Sequence, residues 1–257
     1  MKRIKRVRLL ALALVAGLTV SMGLPSRNSR AEAASPEASN KIQEILELAS
    51  REIFDTESFE IELEIKNRSS NFEVPTKEEI EGSIFMKAGS SQIEKGVFER
   101  ELKSAEGKQK SEVVMSGETG NPLYIRENGG AWTRQEEEGQ VYYFHPNYKE
   151  IFKSILEIAD ELEMTEERHS YKFRSKPGSK KIASVLGPEF HLQLTGVSED
   201  ELEQTLKFKI DKKTMQMEEL EMSLYYEVGE ERIDIEMEFE TSDFNEVDPK
   251  MIVIPTV

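Results

Sequence analysis

The chain has 257 residues, with 34 Lys+Arg against 50 Asp+Glu, a formal net charge of −16 and no cysteine. That balance argues against binding nucleic acid or anionic headgroups by charge attraction. The lack of Cys excludes disulfides, a thiol nucleophile, zinc–thiolate sites and a lipid-modified N-terminal cysteine.

The chain opens like a secretory signal peptide. Lys2, Arg3, Lys5, Arg6 and Arg8 make a positive start, residues 9–24 carry no charge, Pro25 breaks the run, and Ala31-Glu32-Ala33 supplies the small residues signal peptidase reads. The uncharged run of 16 residues is shorter than the roughly 20 a membrane-spanning helix needs. Cleavage after Ala33 or Ala34 is therefore expected over an uncleaved anchor, with the protein acting outside the cytoplasm. Removing residues 1–33, with seven basic residues and one acid, leaves a net charge near −22. Residues 34–257 are long enough to bury one sizeable core and are read as a single domain.

Ile42, Ile45, Leu46, Ala49 and Ile53 recur at helical spacing, which predicts an amphipathic helix over 36–54. Phe59, Ile61, Leu63 and Ile65 then alternate with Glu60, Glu62, Glu64 and Lys66. Side chains of a strand point to opposite faces with a period of two, so this strand has one apolar and one charged face. Further strands are predicted around Ile80, Ile84 and Met86, around Ile93, Val97 and Leu102, around Val113 and Met115, and over 122–126. Gly82 is expected to mark a bulge. Turns fall at 87–90, 105–108 and Asn128-Gly129-Gly130, and Trp132 is placed in a sixth strand.

The pattern then changes. Tyr148, Ile151, Phe152, Ile155, Ile158 and Leu162 fit a helix starting near Pro146, with Lys149, Glu150 and Lys153 on its polar face. Residues 169–175 read as a strand and 180–186 as a helix closed by Gly187-Pro188. Leu192 and Leu194 read as a strand, and a single helical turn is expected after Ser198. Leu206, Phe208 and Ile210 alternate with Lys207 and Lys209, and pair with 215–226 across the 211–214 turn. The apolar register shifts between Met217 and Leu220, which predicts a bulge. Ile233, Ile235, Met237 and Phe239 form the apolar face of the last strand. The expected fold is α+β: a curved antiparallel sheet, an incomplete barrel of about nine or ten strands, packed on helices.

No catalytic motif appears. His145, His169 and His191 lie far apart and form no His-x-x-x-His or His-Glu-x-x-His pattern. Acid pairs such as Glu136-Glu137-Glu138 and Glu218-Glu219 follow from the abundance of acids, which solvate strand faces. No enzyme activity, cofactor or metal is expected. What the pattern offers is an apolar sheet face that needs cover. Met86, Met115, Met215, Met217, Met222 and Met237 fall mostly in its registers, and methionine suits surfaces that accept varied apolar ligands. With Phe59, Ile61, Leu63, Ile84, Leu224, Ile235 and Phe239 they make the expected lining of a lipid cavity. The same stripe also reads as a plain core between sheet and helix. Trp132, near Tyr142, Tyr143 and Phe144, either rims that cavity or caps the core.

The layout resembles a known group: a secretory start, an amphipathic helix, alternating strands with inward methionines, the hairpin Leu206-Lys-Phe-Lys-Ile-Asp-Lys-Lys-Thr-Met-Gln-Met, and Asn245-Glu-Val leading to Met251-Ile-Val-Ile-Pro255. Over about 37–255 it is similar to the extracytoplasmic LolA/LppX-like lipoprotein carriers, and nearest to the Gram-positive DUF6612-type group. The resemblance implies a curved incomplete barrel around helices, with a hydrophobic cavity and no catalytic residue. It implies a lipid or other hydrophobic small molecule as ligand. The chain lacks the lipobox cysteine common in that group, so membrane contact would be transient or through an uncleaved N-terminal segment. The alternative is an interaction or structural module with a fully packed core, engaging an envelope protein partner.

Overall fold

The three runs of period-two alternation become strands of one sheet, two of them paired with each other and the third one strand away. The computed structural model describes residues 36–70, 74–117, 122–135, 146–192, 194 and 197–257. The N-terminal segment, the acidic run at 136–138, Tyr142, Tyr143, Phe144 and His145 lie outside the described residues.

Helix α1 (Pro36–Asp55) buries Ile42, Ile45, Leu46, Ala49 and Ile53 on one face, as the spacing predicts. Six strands follow in a meander: β1 (Ser58–Asn67), β2 (Thr76–Met86), β3 (Ile93–Ser104), β4 (Gly107–Met115), β5 (Leu123–Glu127) and β6 (Thr133–Gln135). Helix α2 (Tyr148–Glu157) starts at Asn147, whose side chain accepts hydrogen bonds from the N–H groups of Lys149 and Glu150. A 3-10 turn (Ala159–Glu161) leads into β7 (Leu162–Glu166) and β8 (Ser170–Ser175). The short helix α3 (Ile182–Leu186) and a 3-10 turn (Gly187–Phe190) come next. After a single turn at Glu199–Glu201 the chain ends in β9 (Glu203–Asp211), β10 (Met217–Val228) and β11 (Glu231–Ser242).

The eleven strands of the described residues form one antiparallel sheet in the order β6-β5-β4-β3-β2-β1-β11-β10-β9-β8-β7. The first meander runs outward from β1 and the second runs inward to β11. The first and last strands therefore meet at the centre, with Leu63 opposite Phe239 and Ile65 opposite Met237. Among the described residues the sheet is open, with β6 and β7 at its edges. One face is packed on the helices and the other is charged, giving the expected α+β half-barrel.

The bulge expected in β10 is present: the pairing with β9 shifts between Met217 and Glu219. A buried network satisfies the backbone there. The Met217 N–H donates to Tyr148 Oη (2.9 Å), and Thr241 Oγ1 donates to the Met217 carbonyl. Tyr148 Oη donates to Gln216 Oε1 (3.0 Å), and Gln216 Nε2 donates to the Glu52 carbonyl (3.2 Å). The bulge, α2 and the end of α1 are thus fastened together, with burial holding the Tyr148 hydroxyl pKa well above its usual value.

Several expectations are corrected. Gly82 marks no bulge: pairing with β3 is continuous through it and shifts only between Phe85 and Met86. A Cβ on Gly82 would lie 2.6 Å from Phe98 Cδ1 and 2.8 Å from the Val97 carbonyl oxygen, so glycine leaves room for the Phe98 ring. Leu162 begins β7 instead of ending α2. Its apolar spacing suits either state, and pairing with β8 decides between them. Lys149 is buried, not on a polar face: its Nζ donates to the carbonyls of Phe54 (2.7 Å) and Ser90 (3.1 Å). Leu192 and Leu194 pack against the core from irregular backbone and form no strand. Trp132 precedes β6, and Met215 sits in the turn before β10 with φ 54°.

Candidate ligand cleft

The sequence-expected lining is brought together on the inner face of the sheet, and most of it is closed. Phe59, Ile61, Leu63, Ile84, Met86, Met115, Met217, Met222, Leu224, Ile235, Met237 and Phe239 are each at most 5% exposed. Helix α2 covers the centre of this face with Ile151, Phe152 and Ile155, all buried. The Phe59 ring lies 5.2 Å from Tyr148, and Phe239 lies 6.1 Å from Phe190. Here sheet and helices form a packed core. Met215 is half-buried at its margin. Trp132 belongs to the opposite face. Its ring meets the Arg126 guanidinium at 4.7 Å, and Arg126 alternates with core-facing Ile125 and pairs with Glu112.

Beyond α2 the same inner face opens into a cleft of ≈ 510 Å³, within the range of small-molecule sites. Leu63, Ile65, Ile80, Phe98, Leu102 and Val113 form its floor, and Pro146 with Phe190, His191 and Leu192 lies over them. Register explains its grading from apolar to polar. One row crosses the strands as Leu63, Ile80, Arg100, Ser111, Glu127, and the next as Ile65, Glu78, Leu102. The polar end is built on β3, β4 and β5. Arg100 Nε pairs with Glu78 Oε1 at 2.6 Å, and the Arg100 side chain is 51% exposed. Solvent screens such a pair, so its worth is about 0–1 kcal/mol. Glu127 is exposed and has no cation partner among the described residues.

Of the residues expected from sequence, Leu63 lines this cleft; Trp132 lies on the opposite face, Met215 at the core margin, and the rest are buried in the core. Ile80 and Leu102 were legible as inward strand residues. Arg100, Glu78 and Glu127 carried a signal as well: they are charged residues at inward-facing positions of their strands.

The outer face carries a second arrangement. Glu99, Glu81, Glu62, Glu240 and Glu219 stand in register across β3, β2, β1, β11 and β10. Lys110 pairs with Glu99 at 2.6 Å. Glu81, Glu62 and Glu240 form no ion pair among the described residues, while Glu219 faces Lys209 of β9. Partial burial among the neighbouring strands, then repulsion from Glu62 and other acids, holds Glu81 and Glu240 above the usual carboxylate range. One row along, hydrogen bonds from Lys77 and Lys103 pull Glu79 below that range, and Lys108 and Lys103 do the same for Glu101. Among the described residues no group of three or more acidic or histidine side chains could hold a metal ion. No helix among them is long and apolar enough to cross a membrane.

No family model matches the sequence, and no curated protein matches it. Among solved structures the chain is similar to LprF from Mycobacterium bovis, at 11% identity and a TM-score of 0.51, covering 85% of this chain and 98% of that one. A LolA superfamily protein from Nitrosomonas europaea matches at 7% identity and TM-score 0.31, over 83% of this chain and 97% of that one. A DUF1329 family protein from Desulfovibrio piger matches at 7% identity and TM-score 0.24, over 84% and 99%. The likeness to LprF is one of fold, the open half-barrel; the other two superpose too loosely to bear on the reading.

Proposed function

We propose that this chain is an exported, non-enzymatic binding protein that holds a lipid or other long apolar ligand in the cleft on the inner face of β1–β5. One observation carries the reading: an apolar floor continuous with the core remains uncovered by α2 and ends in charged groups on one side only. The apolar part of the ligand would leave water at roughly 25 cal/mol per Å². The polar end would set its orientation. The half-barrel shared with LprF supports a fold able to present such a cleft. Residues 1–33 act as the signal peptide in this reading, and 34–257 as the working domain outside the cytoplasm. Affinity with the DUF6612-type group belongs to the same proposal, on the layout of its sequence. Membrane contact is then brief, or made through an uncleaved N-terminal segment.

A second reading, an interaction module for an envelope protein, is favoured by the packing of α2, which fills the centre of the sheet. Native mass spectrometry of the exported protein, purified without detergent and then extracted with organic solvent, separates the two. A stoichiometric mass that extracts as lipid supports the carrier. A bare protein mass with no uptake of added lipid turns the reading to the interaction module.

A further inference from the structure

The charges at the polar end of the cleft are unevenly compensated. Arg100 is the cleft's one described cation of fixed charge, and its Nε is committed to Glu78 at 2.6 Å. Those two cancel. Glu127 is left over, exposed at the end of β5 and without a cation partner among the described residues. It is two strands from Arg100, with Ser111 between them in the same row. Two strand spacings are about 10 Å, roughly a Debye length at physiological salt, so Arg100 does little to neutralise it.

Resting on the carrier reading above, we propose that the cleft selects a single-chain amphiphile with an ammonium head group, with Glu127 as its counter-ion. An anionic head entering the same end meets Glu127 directly. Arg100 offers it little in return, because the Glu78 carboxylate paired with its Nε already offsets that charge. A neutral head gains no ion pair from Glu127, at most a hydrogen bond to it. The excess of acids over bases in the chain raises the local concentration of cations and works in the same direction.

The test uses three probes with the same twelve-carbon chain: dodecyltrimethylammonium, dodecyl maltoside and dodecyl sulfate. Each is titrated below its micelle concentration into the exported, delipidated protein and followed by calorimetry. Attraction against repulsion of a unit charge at ~5 Å separates ammonium from sulfate by about tenfold even at the dielectric constant of water. The expected order of affinity is ammonium, maltoside, sulfate. Glu127→Gln should collapse the difference to within about threefold, and Glu127→Lys should reverse it. Glu230→Gln, in the β10–β11 turn and outside the cleft lining, should leave the order unchanged and so controls for general attraction to an acidic protein. Ser111→Trp, which fills the cleft, should abolish uptake of all three. Equal binding of ammonium and sulfate, tighter binding of sulfate, or a preference that survives Glu127→Gln overturns the head-group inference and leaves the carrier reading intact. Failure to bind any probe, or binding unaffected by Ser111→Trp, removes the carrier reading itself.

Discussion

Replacing Glu62 by Lys should make the protein more stable. Glu62 is exposed and lies directly opposite Glu81 on one side and Glu240 on the other, with no cation partner among the described residues. Directly opposed strand residues have Cβ atoms about 4.5–5.5 Å apart, and opposite-charge pairs there contribute about 0.2–1 kcal/mol. Lysine removes two repulsions and creates two attractions. Salt screening and the entropy of ordering a long side chain cancel part of this. The net gain is about 1 kcal/mol, which for a unit of this size raises the melting midpoint by about 2–4 °C. Thermal unfolding at pH 7, in low salt and again in high salt, measures it. Glu62→Gln should give about half the gain, and high salt should shrink both. A loss of stability, or a gain independent of salt, would refute the idea that this row is held together against its own repulsion.

The same rows predict how stability follows pH. Glu81 and Glu240 have raised folded pKa values, so their contribution is complete below the unfolded value of about 4.3 and is lost as pH rises through the folded value. Glu79 and Glu101 are lowered, and hydrogen bonds from Lys212 and Lys41 bring Glu166 to about 2; their contribution is present above the unfolded value and lost as pH falls. The melting midpoint should therefore rise from pH 7 toward about 5 and fall below about 4, and a curve that only declines on acidification would contradict it. Gly82→Ala should destabilise by about 2 kcal/mol or more through overpacking against Phe98 and the Val97 carbonyl. Urea unfolding reads it; adding Phe98→Leu should recover part of the loss, and a neutral Gly82→Ala would show that the neighbours move freely. Tyr148→Phe leaves the buried Met217 N–H without its partner and the Gln216 oxygen with Thr56 Oγ1 alone, at a cost of about 1–3 kcal/mol. An unchanged denaturation midpoint would mean the bulge does not depend on this network.

Alternation by itself determined which side chains of 59–66, 206–210 and 232–240 face the core, because the pleat of a strand is a local property of the backbone. The helical spacing of Ile42, Ile45, Leu46, Ala49 and Ile53 likewise determined the buried face of α1. The register slip near Met217 was legible for the same reason, since an extra residue must break the period. Leu162 was not, because an apolar residue at that spacing satisfies a helix and a strand alike, and only the pairing with β8 chooses. Lys149 reads as solvent-facing from its charge, yet its ammonium is drawn inward by the carbonyls of Phe54 and Ser90, which come from distant parts of the chain. Core and cleft divide for a similar reason. Phe239 and Leu63 are neighbours across the β1–β11 seam and share one apolar face, but Phe239 is covered by the helical layer while Leu63 borders open space. Parity along a strand says which way a side chain points. What lies over it, and which charges align across eleven strands, depends on strand order and on where the helices land, and those are tertiary facts.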